Sequence, residues 1–112
     1  MENVTPRNLL ASITAIFPAF EEEWNFHVEP DEPVSFHSVF SAFLQFFGTA
    51  AKSASDRQLA AIAAIINQAA EAEPVLENAV DTCFLEHLQQ IKATGYLRPH
   101  LNRTAREKLR GG

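Results

Sequence analysis

The sequence predicts an all-α fold of about five or six helices, packed as antiparallel hairpins in a compact bundle or a short helical stack. Two observations support this prediction: apolar residues recur at three- and four-residue intervals, and no segment shows the alternating β-branched pattern of a strand. Proline and glycine divide the chain into short segments, which favours short connections between helices. Since the chain has 112 residues, 46% of them hydrophobic, we expect residues 1–112 to form a single helical domain.

Two short helices are predicted at the amino-terminal end. Thr5 is a good N-cap, and Pro6 fits the first helical position. Apolar residues follow at helical spacing, but Pro18 interrupts the pattern because it lacks an amide hydrogen and disfavours helical geometry at the residue before it. We therefore expect helices over residues 6–16 and 19–27.

The clearest helix follows Ser35, a favourable N-cap. Gly48 either ends this helix or allows a neighbour to approach closely. A fourth helix is expected from Ser55, which forms a capping box with Gln58. Six apolar residues lie on one face of the third helix: Phe36, Val39, Phe40, Phe43, Leu44 and Phe47.

A fifth helix is expected from Pro74 to Gly95. Thr104 and Glu107 predict a capping box at the start of a short basic helix that reaches Leu109. Because the third and fifth helices have the longest apolar stripes, we place them at the centre of the core. Four side chains should then be nearly fully buried: Phe40, Phe43, Phe84 and Leu88.

Charge is distributed unevenly along the chain. Residues 1–50 carry seven acidic residues and one basic residue, a charge of −6, whereas residues 51–112 carry seven acidic and eight basic residues, a charge of +1. Six of the acids fall within residues 21–32, where there is no Lys or Arg. Such a block creates a local negative field that repels phosphates, so we expect no direct binding of nucleic acid.

This acidic block contains the predicted partner-binding residues. Phe20, Trp24 and Phe26 alternate with the acids. Aromatic residues among like charges are typical of an interface with an apolar centre and a charged rim. Alternatively, Phe20 and Trp24 belong to the core and the acids form a solvated face. We assign partner binding to seven residues: Glu21, Glu22, Glu23, Trp24, Glu29, Asp31 and Glu32.

No set of residues predicts catalysis, a cofactor or a metal. The four histidines lack a second histidine at i+3 or i+4, and there is no glycine-rich phosphate loop and no G-x-S-x-G or H-E-x-x-H motif. Cys83 has His87 one helical turn away, within reach for a nucleophile and its base, but its apolar neighbours predict a buried, inert thiol. His37 is expected to face solvent.

The carboxy-terminal tail is basic. Its cations either complement the carboxyl end of a helix or fold back onto the acidic block. No apolar stretch reaches the roughly 18 residues needed to span a membrane, and the first residues do not form a basic and then apolar leader, so we expect a cytoplasmic protein without a membrane partner. The tail contains five cations: Arg98, Arg103, Arg106, Lys108 and Arg110.

Residues 78–88, N-A-V-D-T-C-F-L-E-H-L, resemble the pattern N-x-V-x-x-x-F-L-E-x-L of small acidic all-α bacterial proteins. In that group a short tail containing leucines follows, as do Leu97, Leu101 and Leu109 here, and the Phe-rich helix over residues 36–47 is also similar. The group is similar to toxin-immunity proteins. The resemblance implies such a role and assigns no residue to it, because the shared positions are mainly apolar.

Small size, acidity and the lack of a catalytic set favour an immunity protein that binds and neutralises a cognate bacterial toxin. Because many such toxins are nucleases with basic clefts, the expected partner is a nuclease domain whose active site is covered by an acidic surface. Two other functions stay open: a helical regulatory or adaptor subunit without a toxin partner, and a small enzyme with a site assembled from distant residues.

Overall fold

The computed structural model describes residues 4–109, which form seven α-helices and no strand. Short 3₁₀ turns follow three of the helices, at residues 51–53, 85–87 and 98–100. The all-α prediction is confirmed, with seven helices rather than five or six. They are α1 (Pro6–Ile16), α2 (Phe20–His27), α3 (Phe36–Ala50), α4 (Asp56–Ala70), α5 (Pro74–Cys83), α6 (Thr94–Leu97) and α7 (Arg103–Glu107).

The first two helices form as predicted. The Thr5 hydroxyl accepts a hydrogen bond from the Asn8 amide at 3.1 Å, and Pro6 begins α1. The turn that contains Pro18 separates α1 from α2. The acidic segment begins just after this turn, since the three consecutive glutamates fall in the first turn of α2.

α3 is longer than its apolar stripe alone indicates. Ser35 caps it as predicted, and Ser38 completes a capping box. Gly48 lies inside the helix, which continues to Ala50, so Gly48 does not end it. The predicted Ser55–Gln58 capping box at α4 is also present, with hydrogen bonds of 3.0 and 3.1 Å.

The fifth helix is shorter than predicted. α5 ends at Cys83, and the next residue, Phe84, leaves helical geometry with φ −135° and ψ −66°. Phe84, Leu85 and Leu88 are all fully buried. Their burial shows that the chain stays in the core after it leaves α-helical geometry. Because α5 ends at Cys83, Gly95 does not end a long helix; it lies within α6.

The last helix begins after Asn102, so the predicted capping box at Thr104 is wrong. The Asn102 side chain accepts a hydrogen bond from the Ala105 amide at 2.9 Å, and the Asn102 amide donates to the Asn67 side chain in α4 at 2.9 Å. Glu107 instead binds Arg103 at 3.2 Å. α7 thus starts where a local cap and a contact with α4 coincide.

α3 lies at the centre of the fold and packs against α1, α2 and α5. Phe40, Phe43, Phe84 and Leu88 are fully buried, as predicted. The Phe43 and Phe84 rings stack with centroids 5.5 Å apart, which joins the two helices predicted to be central. The Cα radius of gyration of 12.8 Å matches the value of about 13 Å expected for a compact chain of this length, which indicates a bundle rather than an extended stack.

Candidate partner-binding surface

The two faces of α2 have opposite characters. Phe20 and Trp24 point into the core, with 0% and 8% of their surface exposed. Glu22 and Phe26 lie one turn apart on the outer face, and Phe26 is 83% exposed. The sequence assignment of Trp24 to partner binding is therefore corrected: Trp24 is a core residue, and Phe26 is the aromatic side chain available to a partner.

The acidic side chains around Phe26 remain accessible. Only Glu23 is half-buried, whereas the other five predicted acids are exposed. We call these six carboxylates and Phe26 the acidic surface. Its members are Glu21, Glu22, Glu23, Phe26, Glu29, Asp31 and Glu32.

Two of the six carboxylates take part in hydrogen bonds within the fold. Glu23 binds the His27 ring, with Oε2 and Nε2 2.7 Å apart, and Glu32 accepts a hydrogen bond from the Glu29 amide at 2.9 Å. The other four form no hydrogen bond or ion pair with any residue from 4 to 109. These four are Glu21, Glu22, Glu29 and Asp31.

Helix electrostatics separates the free carboxylates into two groups. Glu21 and Glu22 lie in the first turn of α2, where negative charge is favoured by the helix dipole. Glu29 and Asp31 lie beyond the carboxyl end of α2, where the dipole disfavours negative charge. The helix dipole therefore explains the positions of Glu21 and Glu22 but not those of Glu29 and Asp31.

The exposed ring of Phe26 is supported on one side. Its centroid lies 5.0 Å from that of the His27 ring in an edge-to-face arrangement, and His27 in turn binds Glu23. This contact orients the Phe26 ring while most of its surface stays in solvent. Phe26 is the most exposed large hydrophobic side chain of the described chain.

A shallow groove borders the acidic surface between α1 and α2. Arg7, Thr14 and Ala15 line it from α1, and Glu21 and Trp24 line it from α2. Arg7 thus places one cation at the margin of the acidic surface, although it forms no ion pair with a described acid. The groove extends the accessible surface next to Glu21.

The described part of the basic tail packs elsewhere. Lys108 binds Glu77 at 3.0 Å and approaches Asp81 at 3.9 Å, both on α5. Arg103 pairs with Glu107 at 3.2 Å. The tail as far as residue 109 thus uses acids of the carboxy-terminal half, and Arg110 lies outside the described residues.

The prediction that Cys83 is buried is wrong. Its thiol is half-buried and lies 3.2 Å from Nδ1 of His37, which is itself half-buried rather than directed to solvent. His87, the histidine close to Cys83 in sequence, instead binds Gln90 at 3.1 Å. Sequence spacing could not identify the real partner, because Cys83 and His37 are 46 residues apart.

Residues 4–109 contain no group of three His, Cys, Asp or Glu side chains placed to hold a metal ion. Within the same residues, none of the helices combines the length and the apolar character that crossing a membrane requires.

A family model matches most of the chain. The model of a family described as "Domain of unknown function (DUF7674)" matches residues 10–110, which is nearly the whole chain. No curated protein and no solved structure matches. The function must therefore be inferred from the surface of the molecule itself.

Proposed function

Since the chain belongs to the DUF7674 family, we propose its role from its own surface: it is an immunity protein that binds and neutralises a cognate bacterial toxin. The toxin is a nuclease domain, and the acidic surface covers its active site. One observation carries the proposal, namely that four exposed carboxylates without a described partner lie within five residues of Phe26, whose side chain is 83% exposed. In this role the protein acts in the cytoplasm and needs no cofactor or metal.

Charge complementarity supports this choice of partner. A nuclease cleft carries cations that hold the phosphates of its substrate, and the acidic surface presents six carboxylates within residues 21–32. Opposite potentials steer encounter, and they raise association rate constants from about 10⁵–10⁶ to about 10⁸–10⁹ M⁻¹s⁻¹ at low salt. Fast association matters for an immunity protein, because a free toxin damages the cell until it is bound.

Phe26 adds an apolar contact, which the charges alone do not provide. Burying a phenylalanine side chain contributes about 1.5–3 kcal/mol, and an aromatic anchor within a charged rim is the usual arrangement of a binding hot spot. The contact with His27 limits the ring's freedom before binding, which reduces the entropy lost when a partner encloses it.

The position of Glu29 and Asp31 is further support. Both lie where the dipole of α2 disfavours them, and neither is compensated by a described cation. Acids that gain nothing from the folded chain are explained if they gain from a complex. A partner with Lys or Arg opposite this loop would provide the missing charge.

The test is binding to the toxin encoded by the adjacent gene. Glu22→Lys/Glu29→Lys reverses two free acids beside Phe26 and leaves the internal contacts of Glu23 and Glu32 intact. Glu71→Lys/Glu107→Lys is the control for net charge, since it makes the same change with two exposed acids at the end of α4 and on α7. Because it also removes their contacts with Asn102 and Arg103, thermal unfolding confirms that this variant is folded. Association rates and inhibition of the nuclease are measured at low and at physiological salt.

We expect the first variant to associate on the order of tenfold or more slowly than wild type, and the control to stay close to wild type. Salt should slow the wild type more than the first variant, because charges are screened beyond about 8 Å at physiological ionic strength. Equal rates and affinities for all three proteins at both salts would contradict the proposal. The regulatory or adaptor role would then be favoured, and the partner surface would be sought first at residues 49–55.

A further inference from the structure

Cys83 and His37 form a thiol–imidazole pair between the two central helices. Cys83 is the last residue of α5, and His37 is the second residue of α3. The sulfur lies 3.2 Å from Nδ1, within the range of a hydrogen bond that involves sulfur. Both residues are half-buried rather than enclosed in the core.

The surrounding core holds this pair in place. Phe40 lies one turn after His37, Phe84 follows Cys83, and both are fully buried with their ring centroids 6.1 Å apart. Thr82, whose hydroxyl is 3.8 Å from the sulfur, donates its hydrogen to the Asn78 carbonyl at 2.8 Å. The Thr82 oxygen can then only accept from the thiol, at 3.8 Å, whereas Nδ1 of His37 lies closer to the sulfur, at 3.2 Å, and is the only base of the two.

We propose that Cys83 is a modifiable thiol, activated by His37, that forms a mixed disulfide with small-molecule disulfides such as oxidised glutathione. The thiolate, rather than the thiol, is the nucleophile, so a base within hydrogen-bond distance increases reactivity. This role is independent of toxin binding.

The reaction is a thiol–disulfide exchange. His37 Nδ1 accepts the thiol proton, and the Cys83 sulfur attacks one sulfur of the small disulfide. The new bond between Cys83 and that sulfur forms as the original sulfur–sulfur bond breaks. The second sulfur leaves as a thiolate and takes the proton from His37, so one thiol and one disulfide become one mixed disulfide and one thiol. Excess thiol reverses the modification.

The test is the rate of adduct formation on the native protein. Cys83 is the only cysteine of the chain, so each adduct reports on this site alone. The native protein is treated with oxidised glutathione and, separately, with an aromatic disulfide that releases a coloured thiolate. Adducts are identified by intact mass, and far-UV circular dichroism confirms that each variant is folded.

Variants of two histidines distinguish activation of the Cys83 thiol from simple shielding of it. His37→Ala removes the base, and His37→Gln keeps a polar side chain that is not a base. His87→Ala is the matched control, because His87 is close to Cys83 in sequence but binds Gln90. Cys83→Ser should form no adduct.

We expect both His37 variants to react about tenfold more slowly than wild type, less than the roughly 100-fold that a fully engaged base contributes, and His87→Ala to react at the wild-type rate. If His37 only shielded the thiol, its removal would accelerate the reaction instead. The proposal is overturned by faster reaction of either folded His37 variant, or by a wild-type thiol that reacts only after unfolding in denaturant.

Discussion

Most acidic side chains in the carboxy-terminal half bind groups of their own fold, whereas most of those on the acidic surface do not. Glu73 caps α5 by accepting hydrogen bonds from two backbone amides, and Glu77 and Asp81 flank Lys108. Glu71 accepts from Asn102, and Glu107 pairs with Arg103. On the acidic surface, by contrast, four of six carboxylates have no partner among residues 4–109.

Carboxylates therefore occur in two settings in one small chain. Most of those in the carboxy-terminal half cap α5 or contact Asn102, Arg103 and Lys108. Four on the acidic surface are exposed and have no partner among residues 4–109. The predictions below test this difference, beginning with the largest effect.

Two phenylalanines provide the sharpest contrast. Phe84 is fully buried and Phe26 is 83% exposed. Phe84→Ala should lower the free energy of unfolding by about 3–5 kcal/mol, because it leaves a cavity in the aromatic core. Phe26→Ala should change it by less than about 0.5 kcal/mol. Denaturant unfolding of both variants measures this, and similar losses would mean that α2 is not oriented as described.

The exposed Phe26, which should matter little for stability, should matter for the affinity for the proposed toxin. Phe26→Ala should weaken toxin binding by about 2 kcal/mol, or about 30-fold, since it removes the apolar centre of the acidic surface. Tyr96→Ala is the control, because Tyr96 is 40% exposed but lies in α6, which packs against α4. Calorimetric titration with the toxin measures both. Equal affinities of the two variants would show that Phe26 does not belong to the partner surface.

Ion pairs in the carboxy-terminal half should differ according to burial. Lys108→Met should destabilise the fold by about 1–2 kcal/mol, because the Lys108 side chain is only 16% exposed and two carboxylates lose their cation. Arg103→Met should cost less than about 0.5 kcal/mol, since its pair with Glu107 is 88% and 65% exposed. Thermal unfolding compares the two. A larger loss from Arg103→Met would contradict this assignment.

The smallest effect is expected at the acidic loop. Glu29→Gln/Asp31→Asn should leave stability unchanged or raise it by about 0.3–0.5 kcal/mol, because it removes negative charge beyond the carboxyl end of α2. High salt should reduce the difference from wild type. Unfolding curves at two salt concentrations measure it. A loss of more than about 1 kcal/mol would show that these acids stabilise the fold after all.

Local signals in the sequence predict most of the helices and the centre of the core. Pro18 separates α1 from α2, and the Ser35 and Ser55 caps begin α3 and α4, because each acts through backbone groups within a few residues. The apolar stripe of α3 likewise predicts its buried face. These features depend on neighbours along the chain, which a sequence shows directly.

The acidic surface is predictable in part. The exposure of the acids follows from their charge, but the choice between Trp24 and Phe26 depends on helix phase. Phe20 and Trp24 share one face, so Phe26, six residues after Phe20, had to lie away from the core. The helical spacing of these three residues is present in the sequence, but composition alone does not reveal it.

Contacts between distant segments determine the rest. Apolar spacing continues past Cys83, yet the chain leaves α-helical geometry at Phe84, so the local pattern does not locate the end of α5. Asn67 meets Asn102 at the start of α7 from 35 residues away, and His37 meets Cys83 from 46 residues away. The sequence therefore predicts helices and their inner faces, since these depend on local periodicity. Only the packing of α3, α4 and α5 decides which polar groups meet, because that depends on how distant helices fit together.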